Sequence, residues 1–334
     1  MIRSSAISLA VGLAVAVSLV AANDPASIAG LLLHAGWAVP AIVALHLPQT
    51  VFSALGWAPL IRSTQRPGLA VLFRLRWIRE SVNNLLPVAQ VGGEIASAQL
   101  LARHGVAGAA VVASLVVDLA TEMVAQVAFA GAGLAALAAL PHRSGEMSGL
   151  AVAGATGFAA AMAGAFIAAQ RWGLFRLVER MLPDLGGRFG WLALGGAAGL
   201  HDAAAALYRE PRRLWLSGGA HLVSWLLGTL EIWAGLHFLG ADIGLAEALV
   251  IESLSQVLRS AGFFVPASIG VQEGGLVLTC ALFGIPAEQA VALSLLRRLR
   301  DIALGVPGIV AWRWEATALR VGGGRPAHPA GGTP

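Results

Sequence analysis

The sequence predicts an all-α fold, specifically a polytopic helical membrane protein. Hydrophobic residues make up 57% of the 334 residues, charged residues make up 12%, and the mean hydropathy is +0.75. This balance is far from that of a water-soluble domain. Several apolar stretches reach about 20 residues, enough to cross about 30 Å of hydrocarbon as a helix. They are continuous and rich in Ala and Leu, whereas a membrane β-barrel needs alternating strands of about ten residues.

Six apolar stretches are predicted to cross the membrane. The first begins after Arg3 and is ended by the polar residues Asn23 and Asp24 with Pro25. A signal peptide cleaved after Ala22 has the same pattern. Because further spans follow, we expect this first span to be retained. The predicted spans are 6–22, 39–60, 106–140, 150–169, 214–239 and 287–312.

The second predicted span contains His46 and Pro48. Proline inside a helix removes a backbone hydrogen bond and bends the helix axis. The pair therefore indicates either a kink or a contact with a substrate.

The arginines predict the orientation of the chain, since every positive side chain is arginine. Seven arginines lie in 171–213 and five lie between 62 and 79. By the positive-inside rule both segments and both termini are cytoplasmic. The loop around Asp242 and Glu247 has no arginine and is predicted to be periplasmic. The pI near 10.7 therefore reflects loops, and no nucleic-acid partner is expected. The five arginines are Arg62, Arg66, Arg74, Arg76 and Arg79.

One integral membrane domain is predicted over residues 1–315. Its largest cytoplasmic loop is 171–213, within which residues 191–208 fit a short helix that lies on the membrane surface. The Gly- and Pro-rich tail, 316–334, has the composition of a disordered cytoplasmic segment.

A motif of proline, glutamate and glycine occurs twice, with the second copy 179 residues after the first. Over 42 aligned positions the copies share only seven identities. The repeat is therefore recognised by these three residues in register and by Glu122 falling opposite Asp301. The sequence predicts two related halves, about 61–140 and 240–313. The motif residues are Pro87, Glu94 and Gly105 in the first copy, and Pro266, Glu273 and Gly284 in the second.

Each copy lies in a segment, 69–105 or 248–285, whose two apolar stretches are too short to be comfortable spans. We predict a re-entrant helical hairpin in each, which requires a backbone buried in protein or lining a wet cavity. Three crossings separate the hairpins, an odd number, so the halves are predicted to form an inverted repeat. Inverted repeats with broken helices are a transporter architecture, although a channel or an intramembrane enzyme can also use them.

Residues suited to bind a polar group gather near the two predicted hairpin tips. Glycine permits tight backbone geometry, proline frees a carbonyl, and amide and carboxylate side chains bind polar groups or each other. Each motif glutamate fits two roles, a contact in a central polar cavity or a cap at the start of a half-helix. The candidates are Asn83, Asn84, Pro87, Gln90, Gly93, Glu94, Arg259, Pro266, Gln272, Glu273 and Gly274.

A second group of candidates lies on the long helices that follow the hairpins. A charge left at the bilayer centre costs about 2.5 to 3.5 kcal/mol, so these groups should face inward and be paired. One interpretation is an ion-pair cluster between the repeats. In the other, arginines hold an anionic lipid head group while carboxylates gate or couple to protons. The residues are Asp118, Glu122, Arg297, Arg298, Arg300 and Asp301, with His221, Glu231, His237 and Glu252 in second rank.

The sequence contains no recognisable enzymatic signature. No GxSxG, HExxH, P-loop or CxxC pattern occurs. Cys280 is the single cysteine, which excludes a disulfide framework and a cysteine metal site. We expect no cofactor and no metal, and a transport protein rather than an enzyme.

The stretches 83–94 and 264–275, with Arg297 and Arg298 after the second, resemble the two signature regions of a known family. This family is the flippase-like transmembrane domain of lysylphosphatidylglycerol synthases, and the resemblance covers most of positions 5–315. Three shorter stretches are similar to the HpnL group, which is associated with hopanoid biosynthesis. They are Val91-Gly92-Gly93-Glu94-Ile95-Ala96, Val117-Asp118-Leu119 and Val271-Gln272-Glu273-Gly274-Gly275.

The resemblance implies a lipid translocase of the bacterial inner membrane, since in the synthases this domain moves the aminoacylated lipid to the outer leaflet. The sequence lacks the aminoacyl-transferase domain, so we do not expect lysyl transfer. The expected partner is a membrane lipid, anionic or hopanoid-linked, with a second copy of the chain or lipid-biosynthesis proteins as further possibilities. Two other classes stay open: a membrane enzyme that modifies a polyprenyl or hopanoid lipid, and a non-catalytic scaffold of a lipid-biosynthesis complex.

Overall fold

Helices account for all the regular structure that the computed structural model describes, over residues 13–15, 17–64, 66–86, 92–140, 200–261 and 269–322. The predicted all-α class is therefore confirmed. A helical segment at Leu13–Ala22 comes first. The following helices are α1 (Pro25–His34), α2 (Ala38–Trp57, continued by a 3-10 turn at Ala58–Leu60), α3 (Leu69–Leu85), α4 (Gly92–Arg103), α5 (Gly108–Ala139), α6 (Leu200–Tyr208), α7 (Pro211–Phe238), α8 (Leu245–Ala261), α9 (Val271–Ala281) and α10 (Ala287–Gly322).

Two helices of the described part are long and apolar enough to cross a membrane, Ala38–Leu60 and Gly108–Ala139. They coincide with the second and third predicted spans. The fifth and sixth predicted spans fall on α7 and α10, which are helices of 28 and 36 residues. The fourth predicted span, 150–169, lies outside the described residues.

The polar residues that follow the first predicted span break the helix, and a new helix, α1, begins directly after them at Pro25. Asp24 has a left-handed backbone (φ 42°), and its Oδ1 accepts a hydrogen bond from the N–H of Ala26 at 3.1 Å. This caps α1, with Pro25 in its first turn. Leu13–Ala22, the described end of the first predicted span, and α1 meet at 89°. Polar residues followed by proline are typical both of the end of a span and of the start of a capped helix, so the sequence pattern predicts the first and not α1.

The two predicted halves contain the same order of elements. Helices α3, α4 and α5 have 17, 12 and 32 residues, and helices α8, α9 and α10 have 17, 11 and 36. Gly105 and Gly284 follow the second helix of each pair with positive φ values of 86° and 70°. Glycine adopts this left-handed conformation without the steric cost of a Cβ. The recurrence of glycine in the motif is therefore explained by the left-handed backbone conformation at this position.

The packing between the halves is crossed. Helix α3 contacts α4 and α8 contacts α9, as expected for two helical hairpins, but α3 also packs on α10 and α8 on α5. In each crossing a glycine faces a serine: a Cβ on Gly308 would overlap Ser81, and a Cβ on Gly133 would overlap Ser253. Small residues allow helices to approach closely in a membrane, where packing drives association. Re-entrant insertion and the inverted orientation of the hairpins stay predictions.

Helix α2 joins two apolar cores. One core contains Ile42 of α2 together with Ile232, Ile251 and Leu293 of α7, α8 and α10. The other contains Trp57 of α2 and buried side chains of α3, α4 and α5. The polar residues in the middle of α2 therefore lie between the two cores.

Helix α10 runs through Gly322, seven residues beyond the predicted end of the membrane domain at 315. Residues 316–322 are therefore helical, which corrects the predicted disordered tail over this stretch. Residues 323–334 lie outside the described part. Of the predicted surface helix 191–208, only Leu200–Tyr208 is described, and it is helical.

Candidate functional site

Two networks of charged side chains occupy the protein interior, one built mainly from each half. Network A consists of Arg76, Arg79, Glu80, Glu94, Asp118, Glu122 and His221. Network B consists of Glu231, Glu252, Glu273, Arg297, Arg298, Arg300 and Asp301.

Network A joins two arginines of α3 to two carboxylates of α5. Arg76 donates to Asp118 at 3.0 Å and to Glu122 at 2.7 Å. Arg79 donates to the same carboxylates at 2.9 and 3.3 Å. The other oxygen of Asp118 lies 2.9 Å from Nε2 of His221 on α7. Spacings of three and four residues place each pair on one helix face, and Asp118 is fully buried between them.

The first hairpin is tied to network A through Glu94, which lies in the first turn of α4 and pairs with Arg79. Beside this pair, the N–H of Gly93 donates to Oδ1 of Asn83 at 2.8 Å. A Cβ at position 93 would overlap the carbonyl oxygen of Arg79 and lie 2.7 Å from Oδ1 of Asn83. The sequence Gly93-Glu94 therefore lets α4 approach α3 closely enough to form the ion pair.

Network B joins α7, α8 and α10. Both terminal nitrogens of Arg297 donate to Glu252, at 2.8 and 3.1 Å, and its Nε lies 3.5 Å from Glu231. Arg300 pairs with the same Glu231 and with its neighbour Asp301, the latter at 2.6 Å. These five residues are each at most 5% exposed, so each charge is paired with an opposite charge inside the protein.

The second hairpin is tied to network B through Glu273. Its Oε1 accepts a hydrogen bond from Arg298 at 3.0 Å, and its Oε2 accepts one from the N–H of Gly270 at 2.7 Å, which caps α9. Glu273 thus has both expected roles, a helix cap and a polar interior contact. The amide of Gln272 is buried without a hydrogen-bond partner among the described residues. A Cβ added to Gly274 would meet no atom within 4 Å.

The networks have opposite polarity. The repeat aligns Asp118 with Arg297, and the carboxylate of Asp118 is held by arginines of α3, whereas the guanidinium of Arg297 is held by a carboxylate of α8. The long helix supplies acids in the first half and mainly arginines in the second. The two halves therefore share a fold but present different chemistry at equivalent places.

One sequence interpretation expected an ion-pair cluster between the repeats, in which Asp118 and Glu122 pair with arginines of α10. The described residues do not form it. Both acids pair with Arg76 and Arg79 of their own half. These two arginines were interpreted as cytoplasmic, but they are 3% and 4% exposed. Their three-residue spacing in one helix was the signal available in the sequence. By contrast, the side chain of Arg62 is 46% exposed.

Two of the polar contacts between the halves involve hairpin residues or the charge networks. Arg259, near the end of α8, donates to Oδ1 of Asn84, in the last turn of α3, at 3.1 Å. His46 of α2 lies 3.5 Å from Glu80 of network A and 3.2 Å from Glu231 of network B. The structure therefore brings together most of the predicted site residues, including those on different halves.

Some predicted residues lie elsewhere. His237 packs against the ring of Trp233, with 5.0 Å between the ring centroids, and belongs to neither network. Pro87, Gln90 and Pro266 are outside the described residues.

The charged groups of each network contact one another directly. A cavity of about 170 Å³ lies beside the loops that follow α7 and α9, and none of its lining residues is a predicted site residue. Asp242, Glu247 and Gln289 are among the residues that line it. Among the described residues, the expected polar interior is thus filled by ion pairs.

Asp118, Glu122 and His221 place one potential metal-ligand atom each within 4.8 Å of one another. Two guanidinium groups already donate to these carboxylates. A cation would have to enter beside two positive charges and displace their hydrogen bonds. The group is therefore better described as an ion-pair network than as a metal site.

The all-helical fold, the two membrane-length helices and the charge networks held inside define a polytopic integral membrane protein. Its sequence over residues 5–308 matches the family described as Lysylphosphatidylglycerol synthase TM region, and the chain belongs to that family. It is accordingly a membrane protein of lipid metabolism. Searches of curated proteins and of solved structures gave no significant match. The resemblance to the broad family is confirmed, and the resemblance to the HpnL group stays a prediction.

Proposed function

We propose that the chain is a lipid translocase of the bacterial inner membrane that moves a lipid with an anionic head group between leaflets, in hopanoid or other membrane-lipid metabolism. Family membership supports a lipid as the substrate. The environment of Arg259 is the observation that supports an anionic head group. Transport occurs by alternate opening of the interior that the two hairpins close.

Arg259 differs from the arginines of networks A and B. Each of those has a carboxylate oxygen within 4.0 Å, whereas none lies that close to Arg259 among the described residues. Its guanidinium is half-buried and held by the neutral amide of Asn84. Asp301 acts on this guanidinium only from beyond 4.0 Å, and a charge with no carboxylate in direct contact is costly at membrane depth, about 2.5 to 3.5 kcal/mol on the lenient scale. A phosphate group of a lipid would supply a counter-charge in direct contact.

The position of Arg259 also fits this role. It lies where the first helices of both hairpins end, so a head group bound there would touch both halves at once. Guanidinium binds phosphate through two parallel hydrogen bonds, and only one donor is used by Asn84. Two other arginines were candidates for this role. Arg297 is held by Glu252 and Glu231, and Arg298 is held by Glu273, so both fit a structural role better.

Replacing Arg259 with glutamine is expected to slow translocation of an anionic lipid at least about tenfold, because a charge-assisted hydrogen bond contributes about 1.5 to 3 kcal/mol. The purified chain would be placed in liposomes with tail-labelled phosphatidylglycerol or phosphatidylcholine. The label remaining in each leaflet would be read with a quencher that does not cross the membrane. The preference for phosphatidylglycerol should fall in the variant.

Arg62→Gln is the matched control, because Arg62 is an exposed arginine paired with Glu210, and it should translocate like the wild type. Equal rates for wild type and Arg259→Gln would remove the head-group assignment. Lipid that is chemically altered during the assay would point to the enzyme class. Wild-type rates no higher than those of protein-free vesicles would point to a scaffold.

A further inference from the structure

We propose that His46 is a reversible proton-binding site that connects the two halves, and that its protonation rearranges network B. The proton site itself follows from the geometry of α2, α3, α7 and α10. Only the use of the proton to drive lipid movement depends on the proposed function.

Charged groups from three helices face the His46 imidazole, which lies inside the membrane-length stretch of α2. Its Nε2 is 3.5 Å from Oε2 of Glu80 on α3. Its Nδ1 is 3.2 Å from Oε2 of Glu231 on α7 and 3.3 Å from Nη1 of Arg300 on α10. The ring therefore contacts one carboxylate from each network and one guanidinium.

The two contacts at Nδ1 need different protonation states. A guanidinium can only donate, so its contact requires a lone pair on Nδ1, while a carboxylate can only accept, so its contact requires an N–H. Neutral imidazole with its proton on Nε2 satisfies Arg300 and Glu80. Doubly protonated imidazolium satisfies Glu231 and Glu80. The two Nδ1 distances differ by only 0.1 Å, so the ring can exchange states without moving far.

The charge balance of the networks favours a site for protons. Networks A and B contain five arginines and eight carboxylates, an excess of three negative charges, which Arg259 reduces to two. Excess charge inside a membrane protein is costly. Histidine is the side chain that can take up the missing positive charge near neutral pH. Among the described residues, His46 and His221 are the two histidines in contact with these networks.

Protonation of His46 would alter contacts on α10. The Nδ1 proton ties α2 to Oε2 of Glu231 and leaves Arg300, which pairs with Oε1 of the same carboxylate and with Asp301, facing a second positive charge. The same helix carries Arg298, which holds Glu273 at the start of α9. Proton uptake at α2 would thus be transmitted to the second hairpin through α10. Glu80, whose side chain is 29% exposed, is the most accessible member of the group and offers the entry route.

Histidine-selective nitrogen NMR on the full chain tests the proton site directly. The signal missing from His46→Gln identifies His46, and its Nδ1 should change from unprotonated to protonated between about pH 8.5 and about pH 5. Glu80→Gln keeps the histidine and removes one carboxylate, and it should lower the proton affinity about tenfold. A single protonation state of Nδ1 over the whole range would overturn the proposal.

The coupling is tested in proteoliposomes that carry a pH gradient. Translocation by the wild type should depend on the gradient, and His46→Gln should lose that dependence. His104→Gln, at the end of α4 and 3.0 Å from Glu315, should behave like the wild type. Gradient dependence that survives in His46→Gln would overturn the coupling. If the wild type moves no lipid at all, the proposed function fails, and the NMR titration still decides the proton site.

Discussion

Replacing Asp118 with alanine is expected to destabilise the protein by about 3 to 5 kcal/mol, the range measured when one partner of a buried ion pair is removed. Asp118 is fully buried and contacts Arg76, Arg79 and His221 at 2.9 to 3.0 Å. Its loss leaves two guanidinium groups sharing Glu122. No water is available in the interior of the bilayer to replace the missing acceptor.

The free energy of unfolding would be measured on purified protein in detergent by denaturant titration. Glu210→Ala is the matched control, since Glu210 pairs with Arg62 through side chains that are 35% and 46% exposed, and exposed pairs contribute about 1 kcal/mol or less. Asp118→Asn, which keeps the volume, should fall close to Asp118→Ala if charge is the cause. Asp118→Ala that unfolds with the same free energy as Glu210→Ala would contradict the account of network A.

Replacing Arg297 with methionine should have an effect of similar size, about 3 to 5 kcal/mol. The substitution keeps most of the side-chain length but removes the two hydrogen bonds to Glu252 and the contact to Glu231. Glu252 would remain as a buried carboxylate with Gln256 as its hydrogen-bond donor.

A double variant separates charge from packing. Replacing a whole buried ion pair by apolar residues is often close to neutral, so adding Glu252→Leu to Arg297→Met should restore part of the lost stability. The denaturant titration of both single variants and the double variant gives the coupling energy. A double variant less stable than either single variant would show that the pair is not the stabilising unit.

The sequence was sufficient for the fold class because composition and the length of apolar stretches depend on local chemistry. The repeated pairs of a glutamate and a glycine, Glu94 with Gly105 and Glu273 with Gly284, also predicted positions with a structural role. Each glutamate pairs with an arginine, and each glycine follows its helix with positive φ. These features could be predicted because each half of the chain needs the same ion pair and the same left-handed turn, and so repeats the same residues.

The partners of the charged residues could not be read in the same way. Arg76 and Arg79 follow an arginine-rich segment, and the positive-inside rule assigns such residues to the cytoplasm. Their burial depends on how α3 packs against α5 and α10, which no local pattern records. For His46 the sequence offered only a kink or a substrate contact. Its position between two carboxylates and a guanidinium is set by three helices distant in the chain.

The proposed transport requires the two hairpins to enter from opposite sides of the membrane, because alternate opening of a polar interior needs a gate on each side. Crossed packing of each hairpin on the long helix of the other half is compatible with this arrangement. The orientation itself follows from counting three predicted crossings, one of which lies outside the described residues.

Cysteine labelling from each side of the membrane measures that orientation directly. Leu69 and Arg103 mark the two ends of the first hairpin, Leu245 and Ala281 mark those of the second, all four are exposed, and the native Cys280 is buried. Single cysteines at these positions would be treated with a membrane-impermeant maleimide in intact cells and in inverted vesicles. The account predicts labelling at 69 and 103 only from the cytoplasmic side and at 245 and 281 only from the periplasmic side. Labelling of all four from one side, or of the two ends of one hairpin from different sides, would contradict it.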